Sequence, residues 1–140
     1  MKKQYSIKVY PAGRGREVYR NIEICGDQSL DQLCSVILEA FDFSEDHLYE
    51  FCMDNRMYSK NSYRSFSEFG EPSTNITLDE LELCKGQKFS LHYDFGDDWM
   101  FTITVSRIDE VQEKRETRIV KAKGDIQQYP DYDNDEWDAE

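Results

Sequence analysis

The chain has little of what marks most enzyme classes. Among 140 residues there are only two histidines, so acid–base work by imidazole has few candidates. No serine sits in a G-x-S-x-G elbow, and neither a Walker loop nor an H-E-x-x-H helix occurs. Gly13-Arg14-Gly15 lacks the third glycine and the strand-to-helix setting of a dinucleotide loop. No apolar run approaches the ~18 residues that suggest a membrane span. The opening MKKQYSIKVY is basic without an apolar signal region, and reads as a first strand. Cys25, Cys34, Cys52 and Cys84 fit neither a zinc knuckle nor a redox pair. Four scattered buried thiols in a reducing cytoplasm are therefore expected.

What the chain does have is acid. A net charge of −12 argues against indiscriminate binding to nucleic acid or an anionic membrane. The charge is unevenly spread. Residues 1–20 carry six bases against Glu17 alone, whereas residues 125–140 carry seven acids and no base. Length and a 39% hydrophobic content suit one cored domain. It is expected to span residues 1–126, with 127–140 an acidic, disordered tail.

Period-two alternation dominates the centre. In Lys88–Ile108, Phe89, Leu91, Tyr93 and Phe95 alternate with polar residues, as do Trp99, Phe101, Ile103 and Val105 after Gly96-Asp97-Asp98. This predicts a β-hairpin with one apolar face. Tyr5, Ile7 and Val9, then Val18, Ile22 and Ile24, predict an N-terminal hairpin with a basic tip at 11–15. Ser29 and Gln32 form a capping box ahead of Leu30, Leu33, Cys34, Ile37 and Phe41, predicting a helix over 29–41. A strand is expected at 47–53, turning at 54–56 into Met57-Tyr58, and a long loop at 59–75 whose Tyr63, Phe66 and Phe69 cover core. A second capping box, Thr77 with Glu80, opens a short helical turn that Gly86 closes. A last strand is expected over 117–122. The order gives an α+β domain: a mainly antiparallel β-sheet with one principal helix packed on one face, possessing a β-grasp-like start.

The hairpin also carries a resemblance. Tyr93-Asp94-Phe95-Gly96-Asp97-Asp98-Trp99 and the following Phe101-Thr102-Ile103-Thr104-Val105 resemble the YDFGDxW-x-h-x-I-x-V signature of the Ri-plasmid ORF-three-like family, also described as insertion-element passenger TnpR family proteins. Val18-Tyr19-Arg20-x-Ile22, Leu30-x-x-Leu33, His47-Leu48-Tyr49-Glu50-Phe51 and Thr77-Leu78-x-x-Leu81 agree with it, over roughly residues 4–108. The resemblance implies an α+β domain associated with mobile elements, without an established activity. Many members end in a Pro-Glu-Asp-x-Gly-Gly segment that is missing here.

The turn holds more acid than its geometry needs, since like charges this close repel unless something compensates. Asp94, Asp97 and Asp98, with His47 and Glu50, are donors that could converge on a divalent metal ion. The plainer alternative is that Asp94 and Asp97 bond turn amides, Asp98 is solvated and His47 caps a strand. With Tyr93 and Trp99 these residues form the candidate binding site, and no residue is assigned a catalytic role. Arg14, Arg16 and Arg20 are candidate phosphate contacts. Two functions compete: a non-catalytic binding or accessory module, and a divalent-metal-dependent hydrolase or phosphoryl-transfer enzyme using the acidic turn. The partner expected is a protein or small molecule, with nucleic acid disfavoured by net charge and no membrane involved.

Overall fold

The computed structural model describes residues 2–65 and 73–128. Within them the chain forms β1 (Lys2–Pro11), β2 (Tyr19–Cys25), α1 (Leu30–Ala40), β3 (Tyr49–Cys52), β4 (Ser62–Arg64), β5 (Lys88–Tyr93), β6 (Trp99–Val111) and β7 (Arg118–Lys123). The strands make one sheet in the order β4-β3-β5-β6-β1-β2-β7, and each ladder between them is antiparallel.

Alternation decides which side of the sheet is buried. Tyr5, Ile7 and Val9 of β1, Ile22 and Ile24 of β2, Phe89 and Leu91 of β5, and Phe101, Ile103 and Val105 of β6 enter a single core. The helix supplies Leu30, Leu33, Cys34, Ile37 and Leu38 to that core. Its start is the expected capping box: Ser29 Oγ accepts the Gln32 N–H and Gln32 Oε1 accepts the Ser29 N–H. Tyr63 packs against the core as expected, while Phe66 and Phe69 lie outside the described residues.

The α+β expectation is corrected. Among the described residues the chain is a mostly antiparallel seven-stranded sheet with a single eleven-residue helix. The apolar stripe after Ser29 sustains three turns and no more. The second capping box does form, with the Thr77 hydroxyl accepting the Glu80 N–H, but no helix follows. Glu82 turns the chain left-handed at φ 55 and ends it. Sheet takes up the difference: β6 runs on to Val111, and β4 forms inside the expected loop. The β-grasp-like start goes no further than β1–β2–α1, because β1 pairs antiparallel with β6 along its length.

Arg20 fastens the right-hand end of this sheet. It lies inward beside Val18 and Ile22, its guanidinium 4.6 Å from the Phe41 ring centroid. Nε donates to Ala40 O at 2.9 Å, and one terminal nitrogen donates to the carbonyls of Tyr19, Lys123 and Gly124 at 2.9–3.0 Å. Gly124 sits at φ 70, and a Cβ there would meet Glu17 O at 2.3 Å, so only glycine lets β7 end this close to the first hairpin.

The opposite face of the sheet is divided. Over β3 and β5 the segment 53–61 folds back as a flap. There Asn55 Nδ2 donates to Lys88 O at 3.3 Å and Ser90 Oγ donates to Asn55 Oδ1 at 2.6 Å. Over β6, β1 and β2 the residues Thr102, Thr104, Lys8, Tyr10, Tyr19 and Asn21 remain half-exposed.

Candidate functional site

The polar centre of the molecule lies under the flap. Glu50 and His92 are register partners on β3 and β5, which puts both side chains on the face away from the helix. Both are fully buried. His92 Nδ1 is 2.7 Å from Glu50 Oε2, and His92 Nε2 is 2.6 Å from Asp98 Oδ1. Each contact needs a proton between its two atoms, and a neutral imidazole carries one. Which of the two carboxylates takes the proton of a neutral ring depends on its tautomer.

Aromatic rings close the centre. Tyr58 meets the His92 ring edge-on at 5.1 Å, and Phe95 lies 4.9 Å from it. The Tyr58 N–H donates to Glu50 Oε2 at 2.7 Å, which holds the flap down. Partial desolvation, then the charges of Asp98 and Glu50, keep the Tyr58 phenol above its ordinary pKa. Glu50 Oε1 has Arg64 Nε at 3.5 Å as an ion-pair partner, but makes no hydrogen bond among the described residues. Behind Glu50, burial and the Glu50 charge push the Cys52 thiol up to about 12. A depression of about 450 Å³ opens beside the flap, between Met53, Asp54, Lys60, Asn61, Tyr63 and Leu81, outside the trio.

The backbone around this centre is unusual. Among the described residues, six other than glycine have positive φ; four of them, Asn55, Tyr58, Asp94 and Asp98, lie in the flap and the turn, and Tyr58 and Asp98 touch His92. Asn and Asp tolerate this region; an aromatic residue such as Tyr58 rarely enters it. Such outliers cost of order 1–3 kcal/mol each and persist where surroundings over-determine them.

The residues singled out from sequence do not all meet. Glu50 and Asp98 come together, with His92 between them. His47 and Asp94 form a separate pair, with Nε2 and Oδ2 3.4 Å apart. Asp94 Oδ1 accepts the N–H of Gly96 at 3.0 Å and of Asp97 at 3.4 Å, so this aspartate builds the turn. The Asp97 residue is exposed. Tyr93 is fully buried on the core face, where its hydroxyl donates to Ser44 O and accepts the His47 N–H. Trp99 packs on the same side, edge-on to Phe43 at 4.9 Å. Glu50 and Asp98 approach opposite edges of one ring and cannot close on a common ion. Among the described residues no group of three or more His, Cys, Asp or Glu is placed to hold a metal.

Two further expectations change. Arg20 is not a phosphate contact, because its donors are spent on carbonyls and on Asp125, 3.3 Å away. Arg14 and Arg16 stay at the hairpin tip, Arg14 3.6 Å from Glu17. The cysteines are all free, but Cys84 is exposed while the other three are buried.

His92 itself was missed. Alternation assigns it with Ser90 to the polar face, which is correct, and nothing in that pattern reveals the flap that encloses it. Arg20 did carry a signal: it shares parity with Val18, Ile22 and Ile24, all inward.

No curated protein matches the chain. Among solved structures, a protein of unknown function, MM3350, from Methanosarcina mazei Go1 superposes with a TM-score of 0.69 at 19% identity, covering 87% of this chain and 70% of that one. At that identity the likeness speaks for the fold. No helix among the described residues is long and apolar enough to cross a membrane. The model of the plasmid pRiA4b ORF-3-like proteins matches residues 3–133, and the chain belongs to that family.

Proposed function

We propose that the protein is a non-catalytic binding module whose contact surface is the rim made by the flap and the Asp94–Trp99 turn. One observation carries this reading. A hydrogen-bonded frame, Glu50 and His92 buried and Asp98 at the surface end, holds side chains outward that a fold alone does not require. Leu48 is 53% exposed, Met57 40% and Tyr58 56%. Exposed Asp97 stands at the same rim. Apolar and aromatic groups beside unmatched carboxylate suit a partner segment carrying both basic and aliphatic side chains. The family is named for a plasmid reading frame, and on this reading the protein is an accessory module of a mobile element, working in the cytoplasm.

The test is a titration of isotopically labelled protein with a short model peptide of alternating Arg and Leu, against the same peptide with Glu for Arg. Amide shifts confined to residues 55–58 and 94–99, and seen with the basic peptide alone, are the expected result. Shifts scattered over the sheet, or equal for both peptides, count against the reading.

A further inference from the structure

The half of the outer sheet face that the flap leaves bare carries a different chemistry. One step past the Val9–Arg20 pair, Tyr10 and Tyr19 stand beside each other across β1 and β2. Both rings are partly exposed. Lys8 Nζ lies 5.3 Å from the Tyr10 centroid and 4.8 Å from that of Tyr19, and Lys121 Nζ lies 5.8 Å from Tyr19. Lys123, on the exposed strand β7, donates to Arg16 O at 2.8 Å and so ties the edge to the hairpin tip that also bears Arg14. Carboxylates nearby are already matched: Glu17 by Arg14 at 3.6 Å, Glu23 by Arg118 at 2.7 Å, Asp125 by Arg20 at 3.3 Å.

We infer that the β1–β2–β7 face is a binding platform for single-stranded nucleic acid. Unpaired bases stack on exposed rings of a sheet, whereas a duplex hides its base faces. Each lysine over a tyrosine occupies the place a base would take, and its flexible stem lets the ammonium swing out to a phosphate as the base arrives. Lys8 and Lys121, at the two rings, would track the backbone, with Lys123 on the neighbouring strand edge. An acidic peptide would use the cations but leave the adjacent rings without a purpose. The net charge of −12 does not forbid the platform. At physiological ionic strength charges are screened over about 8 Å, so distant carboxylates act weakly on phosphates touching the lysines. This surface is separate from the flap rim, and the two proposals stand or fall independently.

The experiment measures anisotropy of a labelled oligothymidylate of about twelve nucleotides, a length within the usual site sizes, with the full-length protein at low salt. A duplex of equal length and heparin serve as competitors. The oligonucleotide should bind and resist the duplex. Tyr19→Leu should weaken it about tenfold, while Tyr19→Phe retains it because the ring remains. Lys8→Gln with Lys121→Gln should weaken it and flatten its salt dependence by between one and two units of log–log slope. Unchanged thermal midpoints certify that each variant is folded. Absence of binding at low salt overturns the inference. Equal affinity for wild type and Tyr19→Leu also overturns it, leaving a merely basic surface suited to an acidic protein or polysaccharide.

Discussion

Glu50 Oε2 stands 2.7 Å from His92 Nδ1 with both side chains fully enclosed. A pair this buried regains in attraction roughly what desolvation costs, so it fixes an arrangement more than it adds net stability. Removing Glu50 is different, because His92 Nδ1 and the Tyr58 N–H lose their shared partner inside the fold, while Asp98 still meets only the other ring nitrogen. Glu50→Ala should cost about 3–5 kcal/mol in chemical denaturation. Glu50→Gln should cost less, since an amide oxygen still accepts the Tyr58 N–H. If Glu50→Ala unfolds at the wild-type denaturant midpoint, the centre does not hold the fold.

The sheet register gives a second test. Ile103 is fully buried, and Thr102 beside it faces the other way, half-exposed. Ile103→Ala should cost about 2–5 kcal/mol, and Thr102→Ala within about 0.5 kcal/mol. Equal losses would mean that the strand is shifted by one residue.

These two positions also show what the sequence made legible. Alternation through Phe101, Ile103 and Val105 placed the core face, and Ser29 with Gln32 placed the helix start, because both signals are local. Asp94 as a turn builder was readable for the same reason. The His92 centre was not, since it depends on β3 pairing with β5 and on 53–61 folding back over them. Left-handed Tyr58 cannot be anticipated from residue preference, because Tyr disfavours that region. The short helical turn expected after Thr77 does not become a helix: the cap with Glu80 is real, but the residues after it continue only as turns.

Arg20 reaches acceptors on three elements at once: Ala40 at the end of α1, Tyr19 in β2, and Lys123 with Gly124 at the end of β7. A lysine has a point charge in place of a planar fork and cannot span them. Arg20→Lys should cost about 1.5–3 kcal/mol, the range for losing a hydrogen bond to a charged donor. The loss should be local. Amide exchange in Arg118–Lys123 should quicken while β5 and β6 keep their protection. Uniform quickening of the whole sheet would contradict the role assigned to Arg20.

The thiols should separate by burial. Cys84 is exposed, whereas Cys25, Cys34 and Cys52 are buried, Cys52 with its pKa pushed up to about 12. Only thiolate alkylates, so at pH 8 the three buried groups are shielded, and burial keeps Cys34 and Cys52 protonated as well. Mass spectrometry after iodoacetamide should show one adduct on native protein, at Cys84, and four after denaturation. Early modification of Cys52 would show that the flap opens readily.

Asp97 and Asp98 are neighbours in the turn and serve different ends. Read from sequence, replacing both by Asn relieves repulsion and leaves stability unchanged or higher. The geometry separates them. Asp97 is exposed and its side chain has no bond among the described residues to lose, so Asp97→Asn should keep stability within about 0.5 kcal/mol. Asp98 Oδ1 is 2.6 Å from His92 Nε2, with the Asp98 side chain 44% exposed. Asn fits the left-handed backbone at 98 as well as Asp does, so the change is electrostatic alone. Solvent screening at that exposure reduces what the charge contributes, and Asp98→Asn should cost about 1 kcal/mol. It should also shift the His92 ring resonances, which Asp97→Asn should leave in place. Binding divides the other way. Asp97→Asn should weaken the Arg–Leu peptide without touching the fold, because that carboxylate faces the partner and not the imidazole. If Asp97→Asn destabilises as much as Asp98→Asn, the acids act as one structural unit and the flap rim loses its binding role.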